Sequence, residues 1–280
     1  MQIGFIGQGF IGKNYADEFE NRGFDVVRYA NEAPHTKNKD AIAACDIVFI
    51  AVPTPTTPDG FDDHIVRDVV AHTGPGATVV IKSTIVPGTT ESIQAQYPDR
   101  YVLHSPEFLV EKSAATDAAH PKRNIVGIPH DSDEYRERAQ QVLDILPEAM
   151  YEAIVAAKEA ELIKYGGNCF LFSKVIFMNL MHDLCASLGC EFDEVKKAMA
   201  HDPRIGDSHM NPVHDSGRGA GGHCFIKDFA AFRTFFAEHV DDDKGLDLLT
   251  AFEEKNIELL RSTSKDLDLL EGVYGAKTDR

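Results

Sequence analysis

The feature that most constrains this chain lies at its N-terminus. Residues 2–6 are a short apolar run, and Gly7-Gln8-Gly9-Phe10-Ile11-Gly12 follows at once. A helical pattern then runs through Ala16 and Phe19, and residues 24–29 read as a second strand. Strand, glycine turn, helix, strand is the context in which a G-x-G-x-x-G run binds a dinucleotide. Gly7 permits the tight turn, Gly9 lets backbone approach a pyrophosphate, and Gly12 packs helix on strand. Phe10 and Ile11 open the helix, whose N-terminus faces the phosphates. The same run could also close a βα turn that holds no ligand.

The strand–helix alternation continues. Residues 47–52 form a third apolar run, ending in Pro53-Thr54-Pro55-Thr56-Thr57-Pro58-Asp59-Gly60. Residues 65–71 are helical and residues 78–84 are a fourth strand. Pro87-Gly88-Thr89-Thr90-Glu91 opens a helix that its hydroxyls would cap. Residues 101–103 and 124–128 are the fifth and sixth strands. Six strands alternating with helices predict an α/β doubly wound, parallel Rossmann sheet. Ligands of such sheets bind at the carboxyl ends of the strands, which selects Val52, Pro53, Thr54 and Thr84 as cofactor contacts. The acidic residue that normally holds the adenosine ribose should stand near Ala30. Asn31 and Glu32 lie just beyond, while Arg28, His35 or Lys37 would suit a 2′-phosphate. NAD is the expected cofactor, with NADP left open.

From residue 151 the texture changes. Residues 153–188 form one long helical pattern that Gly166-Gly167 interrupts. Lys164 and Asn168 are four apart and share a helix face, either as a solvated pair or as two aimed donors. Residues 217–228 read Gly-Arg-Gly-Ala-Gly-Gly-His-Cys-Phe-Ile-Lys-Asp. Four glycines in six residues lead into one cysteine, with a lysine and an aspartate three and four residues beyond. A thiol needs a nearby cation or base to become a nucleophile. The stretch therefore reads either as an activated Cys224 or as a glycine loop before a helix with an inert thiol. The expected organisation is a dinucleotide-binding domain over residues 1–150, an all-α domain with a long central helix over 151–262, and a loosely held charged tail over 263–280.

Composition narrows the partners. Net charge is −17 across 280 residues, which argues against nucleic acid or an anionic membrane. Five cysteines, odd in number and without a CxxC pair, fit reduced thiols in a cytoplasmic protein, with no disulfide frame and no metal site. No signal peptide precedes the first strand, and no apolar run reaches the length of a membrane span.

Taken together, these motifs resemble the UDP-glucose/GDP-mannose dehydrogenases. The resemblance rests on the N-terminal glycines, Val52-Pro53-Thr54-Pro55, Lys82-Ser83-Thr84, and Pro106-Glu107-Phe108-Leu109 with Glu111, Pro121 and Arg123. It continues through Glu161-Leu162-Ile163-Lys164 with Asn168, Asp202-Pro203-Arg204-Ile205-Gly206, and Gly-Gly-x-Cys-Phe-x-Lys-Asp at 221–228. It implies four-electron oxidation of a sugar C6 alcohol to a carboxylate through a cysteine thioester, above all UDP-glucose to UDP-glucuronate for polysaccharide assembly. Cys224 would be the nucleophile, and Lys164 and Asn168 would face the oxyanion. Glu111 would activate water for hydrolysis, while Asp228 and Thr84 would support proton transfer. Glu107, Phe108, Leu109, Gly221, Lys227 and Arg204 would place the substrate, Arg204 across a homodimer built on the long helix. Several positions depart from the family. Val110 replaces an arginine, Ala220 an aromatic residue, Ile226 a proline and Leu180 a glutamate. The family's third, nucleotide-gripping domain has no counterpart in these residues. That implies a weak grip on a nucleotide sugar, a smaller sugar phosphate as substrate, or a second chain that completes the surface. Two alternatives stay open: a two-electron β-hydroxyacid-type dehydrogenase, and a non-catalytic cofactor- or sugar-binding protein.

Overall fold

The computed structural model describes residues 1–275. It divides into two compact units, one formed by Met1–Thr54 with Asp62–Lys164, the other by Pro55–Phe61 with the chain from Tyr165 on.

The first unit is built on a seven-stranded sheet. Its strands are β1 (Ile3–Ile6), β2 (Val26–Tyr29), β3 (Ile47–Ile50), β4 (Thr78–Ile81), β5 (Tyr101–His104), β6 (Arg123–Ile128) and β7 (Tyr151–Ala156). Their order is β2-β1-β3-β4-β5-β6-β7. All neighbours are parallel except β5 and β6, which pair antiparallel at His104 and Gly127. The central strands are apolar at nearly every position and buried throughout, as strands covered on both faces must be. Phe5 stacks on Phe49 at 4.9 Å, and Phe19 from the helix Phe10–Asn21 meets both rings edge-on. This is the expected doubly wound architecture, with two corrections: the β5–β6 pair is antiparallel where a parallel sheet was expected, and a seventh strand is added. Residues 151–156 are a strand, not the start of the long helix. β7 pairs in register with all six residues of β6, and that pairing overrides the helical propensity of its Ala and Glu residues.

The helix Thr89–Gln96 is not capped by its own hydroxyls as expected. Gly88 takes a left-handed conformation at the cap, with φ 95°. The buried carboxylate of Glu161 accepts from Gly88 N at 2.6 Å, Thr90 N at 2.9 Å and Thr90 Oγ1 at 2.6 Å. Burial raises the Glu161 carboxyl above its usual range, against the opposing pull of these donors.

The second unit is largely helical. The helix Ala157–Leu188 is unbroken at Gly166-Gly167, correcting the expected interruption. Two glycines cost about 1 kcal/mol each in a helix interior, too little to stop propagation through so many helix-forming neighbours. By length and composition this helix could cross a membrane, which corrects the expectation that no such run exists. In this unit it buries Phe172, Val175 and Ile176 in a protein core. Phe172 stacks on Phe229 of the helix Gly222–His239 at 3.9 Å. The helices Phe192–Ala200, Asp243–Ser262 and Leu267–Tyr274 complete the unit. The last of these corrects the loosely held tail. It buries Leu270 and Val273, and the Tyr274 hydroxyl donates to Glu253 at 2.9 Å. Residues 276–280 of that expected tail lie outside the described residues. Two hairpins are added, Val213–His214 with Gly217–Arg218 and Thr56–Thr57 with Gly60–Phe61. Thr56 Oγ1 donates to the Lys227 carbonyl at 3.1 Å.

Candidate active site

The glycine turn of the first unit separates packing from binding. Gly7 has φ 91°, and a Cβ there would lie 2.2 Å from the Ala51 carbonyl oxygen. A Cβ on Gly12 would lie 2.0 Å from the Gly7 oxygen. Both glycines are demanded by contact. Gly9 differs, because a Cβ there meets nothing within 4 Å among the described residues. It caps the helix Phe10–Asn21 in extended conformation without a side-chain bond, and Phe10 beside it is exposed. The helix N-terminus thus faces open space, a cradle that fits a pyrophosphate. The loops at the carboxyl ends of β3 and β4 are tied together. Val52 N donates to Ser83 Oγ at 3.0 Å, and Thr54 Oγ1 donates to the Thr84 carbonyl at 2.7 Å. Arg28, weighed for a 2′-phosphate, is engaged by Asp17 at 2.7 Å and Glu20 at 2.8 Å.

A dry cluster of charge lies in the same unit. Lys164 Nζ donates to Glu107 Oε1 at 2.8 Å and to the Glu107 carbonyl at 2.7 Å. The other Glu107 oxygen accepts from Leu109 N at 2.8 Å. Both partners are buried, with side chains 7% and 3% exposed. The Phe108 ring carries the Arg123 guanidinium at 3.7 Å and the Lys164 ammonium at 5.7 Å. Lys82 is buried too, donates to the Ser105 carbonyl at 3.1 Å, and sits 4.3 Å from the Tyr15 ring. Burial pushes Lys82 down to about 7, with Glu107 opposing the shift and Lys164 adding to it. Burial, then the Lys82 ammonium, pushes fully buried His104 down to about 3. Glu111 is exposed on the single turn Glu111–Ser113, so the carboxylate that holds Lys164 is Glu107.

The second unit holds the thiol. Gly221 caps the helix Gly222–His239, and Cys224 is its third residue, exposed to solvent. A helix N-terminus favours a thiolate through its N–H groups and dipole. Cys169 is the opposite case, where burial and then Asp228 push the thiol well up. Burial pushes Cys45 up to about 11. Asp228 stands one turn beyond Cys224 and is 1% exposed. Its Oδ2 accepts from Asn168 Nδ2 at 2.6 Å and its Oδ1 from Lys227 Nζ at 2.5 Å. The sequence-selected Asn168, Lys227 and Asp228 are therefore assembled. Arg204 is 87% exposed and engages Asp202 at 2.6 Å. A cavity of about 440 Å³ between His182, Phe192 and Val213 contains none of the candidate residues.

Residues 29–146 match the NAD binding domain of the UDP-glucose/GDP-mannose dehydrogenase family, and residues 158–258 match its central domain. The chain belongs to this family. It is 33% identical over 288 residues to the UDP-glucose 6-dehydrogenase of Rickettsia felis, covering 88% of this chain and 63% of that protein. A UDP-glucose dehydrogenase from Pyrobaculum islandicum superposes with a TM-score of 0.77 at 28% identity, over 93% of this chain and 68% of that one. A 3-hydroxyisobutyrate dehydrogenase from Mycobacterium tuberculosis gives a TM-score of 0.73 at 18% identity, over 98% of both chains, a likeness of fold alone. The chain spans between 45% and 64% of the length of the curated relatives compared with it. The family's NAD binding domain makes NAD the cofactor.

Sequence reasoning missed residues in both units. Lys82 was visible only as a motif letter. A lysine closing the apolar strand run Thr78-Val79-Val80-Ile81 was the available signal that it would be buried. Lys265 and Asp266 fall in the expected charged tail, yet Lys265 bonds the glycine stretch before Cys224 and Asp266 bonds the first residue of its helix.

Proposed function

We propose that this protein oxidises the C6 alcohol of a nucleotide sugar, UDP-glucose foremost, to the carboxylate through a thioester on Cys224. The observation that carries the reading is an exposed thiol at a helix N-terminus, one turn from a carboxylate already held by an amide and an ammonium. NAD, when bound, accepts one hydride in each of two oxidations, giving two NADH per acid.

In the first oxidation the alcohol proton passes towards Asp228, with Thr84 helping to hold the relaying water. The Cys224 thiolate then adds to the aldehyde carbon. A C–S bond forms, and the carbonyl oxygen becomes an oxyanion and then a hydroxyl. Lys164 and Asn168 stabilise that oxyanion. An ammonium has three N–H donors and Lys164 spends two on Glu107; an amide has two and Asn168 spends one on Asp228, so each keeps a donor. The second oxidation takes a hydride from the thiohemiacetal carbon and a proton from its hydroxyl, leaving the thioester. Glu111 removes a proton from the attacking water, the C–S bond breaks, and thiolate and carboxylate separate. Glu107, Phe108, Leu109, Gly221 and Lys227 position the sugar.

The long helix leaves Phe170, Phe177 and Leu184 exposed at seven-residue intervals, with Leu180 and Leu188 beside them. Such a stripe suits a second copy of the chain, and Arg204 would serve a shared anion site there. Exposed Cys190 and Cys224 suit a reducing, cytoplasmic location. The two-electron alternative needs Lys164 and Asn168 but no exposed thiol.

Mass spectrometry of protein quenched during turnover with UDP-glucose and NAD tests the reading. A sugar-acyl adduct on Cys224 is expected, absent in Cys224→Ser. Undiminished acid formation by Cys224→Ser would overturn it.

A further inference from the structure

The glycine stretch before Cys224 is held along its length by the end of the helix Asp243–Ser262 and the residues that follow it. Ala220 N donates to Asn256 Oδ1 at 2.7 Å, and Asn256 Nδ2 donates back to the Ala220 carbonyl at 3.0 Å. Arg218 N donates to Thr263 Oγ1 at 3.0 Å. Lys265 is 5% exposed, and its ammonium donates to the carbonyls of Gly219 at 3.1 Å and Gly217 at 3.5 Å. Gly222 N, at the first position of the Cys224 helix, donates to Asp266 Oδ2 at 2.7 Å.

The glycines are what let these contacts close. A Cβ on Gly217 would lie 2.3 Å from Thr263 Oγ1, and one on Gly221 would lie 2.0 Å from Asp266 Oδ2. Ser264 and Asp266 take φ 53° and 51°, a left-handed backbone that side chains rarely adopt unless surrounding contacts impose it.

We propose that Lys265 and Asp266 are positioning residues for Cys224: Lys265 holds the approach loop, and Asp266 places a fixed negative charge on the same helix end that serves the thiol. Among the described residues, the charged and titratable groups around that helix end include His223, Lys227 and Asp228 on the helix itself, Lys265 and Asp266 on the holding segment, and Asp215 and His209 from the stretch before the loop. Asp266 is bonded to the first amide of the helix, and so it competes directly with a thiolate for that end. The catalytic meaning rests on the proposed role of Cys224; the structural claim does not.

The test is the rate of Cys224 alkylation by iodoacetamide, read by mass spectrometry across pH in the full chain. Asp266→Asn keeps an acceptor for Gly222 N–H and removes the charge. Its profile should move to lower pH, with alkylation at neutral pH faster by about two- to fivefold. Lys265→Met should raise amide exchange over residues 217–222, and Lys265→Arg should restore protection. An Asp266→Asn profile that superposes on wild type, or exchange unchanged in Lys265→Met, overturns the proposal. If Cys224→Ser keeps full acid formation while Asp266→Asn shifts alkylation, the catalytic reading fails and the clamp stands.

Discussion

Lys164 and Cys224 stand in opposite surroundings. Lys164 is sealed in the first unit against a buried carboxylate, with Lys82 and His104 buried nearby and depressed by the same dryness. Cys224 is exposed in the second unit and is organised by backbone hydrogen bonds to its loop. A charge in a dry place is fixed by its partner, and removing either partner is costly. A thiol at a wet helix end is fixed by the backbone that carries it, so its side chain can change with little effect on the fold. Function and stability should therefore separate at Cys224 and coincide at Lys164.

The largest effect should come from Cys224→Ser. Acid formation should fall by at least about 10³-fold, as for loss of a covalent nucleophile, with the melting temperature nearly unchanged by calorimetry. A large fall in melting temperature would erase the contrast. Lys164→Met should lower turnover by about 10²–10³-fold. It should also destabilise the protein by about 3–5 kcal/mol, because Glu107 is left buried without its cation; urea unfolding measures this. A Lys164 variant that loses turnover at full stability would show that burial of the pair is energetically idle. Glu161→Ala should cost about 1–3 kcal/mol, since three donors at the start of the helix Thr89–Gln96 lose their acceptor.

The smallest effect is on pH dependence. Lys82 titrates near 7 in the folded protein and near 10.5 when unfolded. Between these values the unfolded state binds more protons, so this residue makes stability rise with pH from about 7 to 10.5. His104, at about 3 folded against 6.5 unfolded, acts in the same direction below neutrality. Lys82→Met should flatten the alkaline rise, seen as a smaller gain in urea midpoint between pH 7 and pH 9. An unchanged gain would show that Lys82 does not carry it.

The parallel sheet was legible because buried strands such as Ile47–Ile50 are written as apolar runs and the glycine turn fixes their connection. β7 was not, because its six residues become a strand only by pairing with β6, which local pattern cannot express. Asn168 was legible through its helical spacing from Lys164, and Lys227 and Asp228 through their place just after Cys224, but the bond that joins Asn168 to Asp228 was not. Glu107 as the partner of Lys164 was not, because the two are brought together only by the fold. Lys265 and Asp266 were hidden for a further reason: a charged run after a helix looks solvated until its donors and acceptors are seen to be taken by a glycine backbone.

The most direct measurement is the count of NADH released per acid formed from UDP-glucose, in wild type and in Cys224→Ser. Two per acid are expected in wild type, with Cys224→Ser producing almost no acid. One NADH per turnover in wild type, or two per acid at full rate without the thiol, would contradict it.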